Sequence, residues 1–155
     1  MEIISKDIKN KIWDKIYNEY KFHPSTIDNG IDWISIPYEN KVFKLDSMWN
    51  NEQESLVNGF FEELVDGDMY AFDWQHDCFV FSPKEHIPFE YEYHDDDRNC
   101  NVYFPTYYPN GDYYLFFDKE WKYGLLGHPW RRQIIVIGKE LISKFEDNKN
   151  ILKII

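Results

Sequence analysis

The sequence predicts an α+β fold, an antiparallel sheet of about five to seven strands covered by about three helices. Short aromatic and β-branched runs outnumber helix-like periodicities, and turn signals join most of those runs at hairpin distance. The helical patterns lie at the beginning, middle and end of the chain. At 155 residues the chain is long enough to bury a core without disulfide or metal staples. Neither a repeat nor a linker interrupts it, so residues 1–155 read as a single domain.

The first helix is expected over residues 5–20. Ser5 can cap its free amides, and Ile8, Ile12, Ile16 and Tyr20 recur every fourth residue on one face that Trp13 and Tyr17 widen. His23-Pro24 ends it, because the residue before a proline is pushed out of helical space. Residues 32–36 and 41–45 read as strands of a hairpin around Pro37-Tyr38-Glu39-Asn40. A second helix over residues 51–65 has Asn51 and Glu54 at capping-box spacing and Leu56, Phe60 and Leu64 on one face. Asp66-Gly67-Asp68 closes it.

Residues 69–74 and 78–82 then read as strands, with Asp73-Trp74-Gln75-His76 at the tip between them. Residues 83–101 lose periodicity and read as an exposed connection that has room for an edge strand at 89–93. The strand-like stretches 102–108 and 112–117 flank Pro109-Asn110-Gly111, a hairpin signal. Residues 113–117 and 134–137 lack polar alternation, as expected of strands buried on both faces. Between them stands a second aromatic-imidazole cluster, Gly127-His128-Pro129-Trp130, and Gly138 turns the chain into a last helix through Leu141, Ile142 and Phe145.

Composition limits the partners. With 28 acidic against 17 basic residues the net charge is -11, which repels phosphate backbones and anionic lipid, so neither nucleic acid nor membrane is expected and a basic protein partner is favoured. The two cysteines, Cys78 and Cys100, have no zinc-type spacing and suit a reducing compartment. The start of the chain lacks the charged and apolar regions of a secretion signal, so a cytoplasmic location is expected. Aromatic residues form 19% of the chain, and because each buried ring removes about 150–250 Å² from water, a few of them can dominate the core.

His76 and His128 are the catalytic candidates, since imidazole titrates near neutral pH, with Asp112 able to orient one of them. Trp74, Trp130, Asp73 and Arg131 are candidates for holding a ligand or partner: the tryptophans as walls, Asp73 as an orienting group, Arg131 as an anion clamp. This shared site requires the two clusters to meet. The alternative is that both histidines bond loop backbone while the tryptophans plug the end of the core, Trp130 as the anchor and Gly127 in a conformation other residues avoid. Cys78, in strand alternation with His76, reads as a small core residue. Asp95-Asp96-Asp97 lacks the alternating spacing of a calcium loop and reads as a solvated run. No metal or cofactor is expected.

Taken together, Tyr70-Ala71-Phe72-Asp73-Trp74-Gln75-His76, Tyr108-Pro109-Asn110-Gly111-Asp112-Tyr113-Tyr114, Gly127-His128-Pro129-Trp130 and Gly138-Lys139-Glu140-Leu141 resemble a family of small bacterial proteins catalogued as a domain of unknown function. The resemblance runs from Trp13 to Phe145 and implies neither an established activity nor catalytic residues. Two functional expectations follow from the residues. One is an acidic protein-binding module, in the manner of an immunity protein or antitoxin that occludes a basic toxin. The other is a small-ligand binder or acid/base enzyme using His76 and His128.

Overall fold

The computed structural model describes residues 1–155 and has the predicted α+β architecture. Its elements in order are β1 (Glu2–Ile3), α1 (Lys6–Asn18), β2 (Asn40–Lys44), α2 (Asn51–Leu64), β3 (Met69–Asp73), β4 (Cys78–Phe81), β5 (Glu92–Asp95), β6 (Cys100–Tyr103), β7 (Tyr114–Asp118), β8 (Gly124–His128), β9 (Gln133–Ile137), α3 (Lys139–Asp147) and α4 (Lys149–Leu152). Seven strands form one antiparallel sheet in the order β1-β4-β3-β7-β8-β9-β2, while β5 and β6 make a separate ribbon. No helix is long and apolar enough to cross a membrane.

Strand alternation sorts the apolar side chains onto two faces. Met69, Ala71, Phe116, Leu125, Ile134 and Val136 point to one core, which Val57, Phe60 and Phe61 of α2 and Leu141 and Phe145 of α3 complete. Phe72, Leu115, Phe117, Leu126, Ile135 and Ile137 point to the other, shared with Ile16 of α1, Tyr20, Phe22 and Trp33. Covering both faces explains why residues 113–117 and 134–137 carry no polar alternation. The apolar stripe of α1 starts later than expected, because Ile8 is 47% exposed and only Ile16 of that series is fully buried within the helix.

Several local expectations need correction. Residues 32–36 form no strand; the segment is tied to the end of α1 by bonds from His23 N–H to Trp33 O (2.7 Å) and from Ser35 N–H to Tyr20 O (2.6 Å). Its Trp33 and Ile34 are buried there, and β2 pairs with β9 instead. Residues 83–101 hold more order than an exposed connection, with a 3-10 turn at Pro83–Glu85 and the β5–β6 ribbon. Pro109-Asn110-Gly111 is not a hairpin turn: β6 pairs with β5, and β7 lies between β3 and β8. Gly127 is needed for space rather than conformation, since a Cβ there would stand 2.5 Å from Pro109. Gly138 does require glycine: its φ is +101° and a Cβ would meet Lys122 O at 2.5 Å.

The capping box of α2 lies one residue earlier than its spacing suggested. Asn50 Oδ1 accepts from Gln53 N–H at 3.0 Å, and Gln53 Oε1 accepts from Asn50 N–H at 2.7 Å. Glu54 is thereby free to turn inward, where its two carboxylate oxygens accept the backbone N–H groups of Tyr107 (2.6 Å) and Tyr108 (2.9 Å). Those amides have no strand partner, so one buried side chain replaces the hairpin that the Asn-Gly pair suggested. Burial pushes the Glu54 carboxyl up to about 7 against the pull of the two amides. Glu54→Gln offers one acceptor for two buried donors and should cost about 1–3 kcal/mol. A carboxyl raised in the folded state contributes stability below its ordinary value that is lost as pH rises through about 7. Melting temperatures measured from pH 5 to 8 should therefore show the gap between variant and wild type narrowing as pH rises.

Candidate functional site

The central pairing of β3 with β7 sets Asp73 opposite Tyr114, and Trp74 N–H donates to Tyr113 O at 3.2 Å. This register carries Asp112, just ahead of β7, alongside Asp73. His76 reaches back from the β3–β4 turn, with Nδ1 3.1 Å from Asp73 Oδ1 and 3.7 Å from Asp112 Oδ2. Asp73 Oδ1 also accepts from Gln75 N–H at 3.2 Å, and Asp112 Oδ1 accepts from Tyr113 N–H at 2.7 Å. Asp112 Oδ2 is buried with no hydrogen-bond partner, in a residue only 4% exposed. The imidazole of His76, by contrast, is 62% exposed. Burial raises the Asp73 carboxyl above the usual range, neighbouring Asp112 raises it further, and His76 opposes the rise. The three side chains offer donor atoms that all lie within 4.8 Å of one another, so they could share a proton, a cation or a metal ion.

The cluster opens into a cleft of about 340 Å³ between the large sheet and the β5–β6 ribbon. Tyr91, Tyr103, Phe104 and Tyr114 supply its aromatic lining, while Glu90 and Glu92 add acidic groups. The ribbon is held over the His76 turn by Arg98, which donates to both oxygens of Asp77 (2.9 and 3.0 Å) and to Asp95 (2.7 Å). Asp95 is therefore part of a tether and not of a free charge run. None of these lining residues carries a local sequence signature, since they come together only when the ribbon folds back.

The second cluster is built differently. His128 is 1% exposed and lies on the α1 face. Its Nδ1 accepts from Arg131 N–H at 3.1 Å, which leaves the proton on Nε2 to donate to Tyr113 Oη at 3.2 Å. Tyr113 Oη in turn donates to Ser25 O and accepts from Ser25 N–H. Burial foremost, and Arg131 next, push the imidazole down to about 4, so it is neutral at physiological pH. The Arg131 guanidinium is occupied by Asp28 (2.8 Å) and by the carbonyl of Ile31, holding the 28–31 turn.

Trp74 and Trp130 both pack on Tyr113, each with ring centroids 5.5 Å from it, so the two clusters meet through that ring. Trp74 is fixed further by its indole N–H bond to Tyr17 Oη at 2.8 Å. Trp130, expected as a core anchor, is 37% exposed. Cys78 is buried, and burial pushes its thiol up to about 12, which keeps it protonated and unreactive.

Because His128 is neutral when folded and binds a proton near 6.5 when unfolded, its contribution to stability is present above 6.5 and is lost as pH falls towards 4. His128→Gln should lower the melting temperature at pH 7 and flatten this acid limb. Thermal melts of variant and wild type from pH 7 to 4 check both effects.

Comparison with known proteins places the chain among proteins without an established activity. It is 29% identical over 163 residues to a Bacillus subtilis (strain 168) protein described as "Uncharacterized protein YxiI", the match covering 96% of this chain and 94% of the relative. No solved structure matches. A family model covers residues 3–142, most of the chain, and the protein belongs to that family, described as "Protein of unknown function (DUF2716)".

Proposed function

We propose that this protein binds a small ligand in the cleft lined by Asp73 and His76, with Asp112 buried behind them. The observation that carries this reading is Asp112 Oδ2, buried without a hydrogen-bond partner 3.7 Å from the His76 imidazole that, with Asp73, lines a solvent-connected cleft. A buried acceptor left unbonded costs about 1–3 kcal/mol, a cost that a bound electropositive group would relieve. Between them the cleft's occupants must supply an electropositive group for the carboxylates and a flat or apolar surface for the tyrosines. The reading keeps His76 as a site residue and leaves His128, Trp74 and Arg131, which bond within the fold on the α1 side, outside the site. An NMR screen of a fragment library against the full chain, run once with chelator and once with zinc sulfate, tests it. Fragments should shift the amides of residues 73–77, 103–106 and 110–114, and Thr106→Trp, which narrows the cleft, should abolish those shifts. Shifts scattered over the surface, or none under either condition, would count against the proposal.

A second reading, a basic protein partner docked over the same cleft, draws support from the net charge of -11 and from Tyr103, 54% exposed beside Glu90 and Glu92. Charge steering of this kind accelerates association and is screened by salt. An immunity- or antitoxin-like role would fall within it. A pull-down from native cytosol should then retain a basic protein at low salt and release it at high salt, with Tyr103→Asp weakening capture. Absence of a specific partner at either ionic strength would refute it.

A further inference from the structure

We propose that Asp73, His76 and Asp112 form a binding site for a divalent transition-metal ion of the zinc class. The inference deepens the cleft reading, on which it rests, by naming the electropositive group at the inner end. Donor atoms about 2.0–2.2 Å from a common ion stand roughly 3–4 Å from one another. The separations are 3.1 Å from His76 Nδ1 to Asp73 Oδ1 and 3.7 Å from His76 Nδ1 to Asp112 Oδ2, with every donor within 4.8 Å of the others. Small side-chain adjustments would therefore suffice to seat an ion.

Two independent features point to a cation. The first is the geometry of three donors from three segments: the end of β3, the β3–β4 turn and the residue-112 bend ahead of β7. The second is Asp112 Oδ2, in a residue more than nine-tenths buried, 3.7 Å from His76 Nδ1 and without a hydrogen-bond partner. Asp112 Oδ1 is already engaged by Tyr113 N–H, which orients the carboxylate and leaves the second oxygen for the ion. Two aspartates held side by side without an arginine or lysine among their hydrogen-bond partners are neutralised in full by one divalent ion. Imidazole with carboxylate oxygens suits zinc and its first-row neighbours better than calcium or magnesium, which prefer oxygen alone. Three protein donors leave at least one coordination position facing the cleft, as in zinc sites that bind a substrate or water.

The test uses the full chain, stripped with chelator and titrated calorimetrically with zinc sulfate, with backbone amide shifts recorded in parallel. One zinc per chain should bind, shifts should centre on residues 73–77 and 110–113, and Asp112→Asn and His76→Gln should each weaken binding by at least about tenfold, a loss that even outer-shell changes around a metal can bring. His86→Gln, which removes an exposed imidazole paired with Glu62, should leave zinc binding unchanged. Should Asp112→Asn fail to fold, the wild-type shift map and His76→Gln still decide. No zinc binding, binding unaltered in the site variants, or shifts centred on His23, His86 or His94 would overturn the metal site. Fragments that occupy the cleft in chelator would leave the broader reading standing even then; zinc bound at the three residues with no fragment in the cleft would uphold the ion and overturn the organic ligand.

Discussion

The antiparallel register between β3 and β7 is the constraint on which the rest depends. It sits near the middle of the seven-stranded sheet, and setting Asp73 against Tyr114 brings two carboxylates together from positions 39 residues apart in the chain. A slip by one residue would move every side chain of one strand to the opposite face, sending Phe72 out of its core and Asp73 into an apolar layer. Dense packing on both faces forbids that slip. The placement of the acidic cluster is thus a by-product of the same hydrophobic sorting that stabilises the sheet.

That sorting also separates two motifs of similar composition. His128 shares the face of Leu126 and is enclosed by Trp33, Tyr113 and Trp130, with both ring nitrogens satisfied. His76 lies beyond the end of its strand and keeps its imidazole in solvent beside Asp73 and Asp112. The aromatic neighbourhood is common to both, with Tyr113 touching Trp74, Trp130 and His128. What differs is water access, and water access divides a packing fixture from a group able to meet a ligand.

Polar groups hold the segments flanking the cleft in place, and they differ in strength. The bonds from two buried amides to Glu54 are charge-assisted when its carboxyl is ionised and have no solvent to compete, so they fasten the 107–108 segment to α2. The Arg98 fork onto Asp77 and Asp95 is half exposed, and surface ion pairs contribute at most about 1 kcal/mol. The ribbon above His76 is therefore held chiefly by apolar packing, with Val102 buried in the main core and Phe104 against Phe79, Phe81 and Phe116.

Local periodicity was sufficient for much of this architecture. The repeats in α1 and α2, the unbroken apolar runs of β7 and β9 and the glycine at the start of α3 predicted those elements, because helices and buried strands write their own spacing into neighbouring residues. The first aromatic-imidazole cluster likewise marked His76 and Asp73 as residues of interest, with Asp112 expected as a group able to orient an imidazole. Contacts between distant segments escaped such reading. Nothing near Asn110-Gly111 indicates that Glu54 will claim the amides of Tyr107 and Tyr108, so the turn signal implied a hairpin that the fold does not make. Arg131 carries no mark of its partner Asp28 on the opposite side of the chain's length, and His128 none of its burial. Burial and pairing across the chain are properties of the assembled sheet; the residues alone determined which elements form, and only their packing decided which imidazole faces water and which carboxylate oxygen is left without a bond.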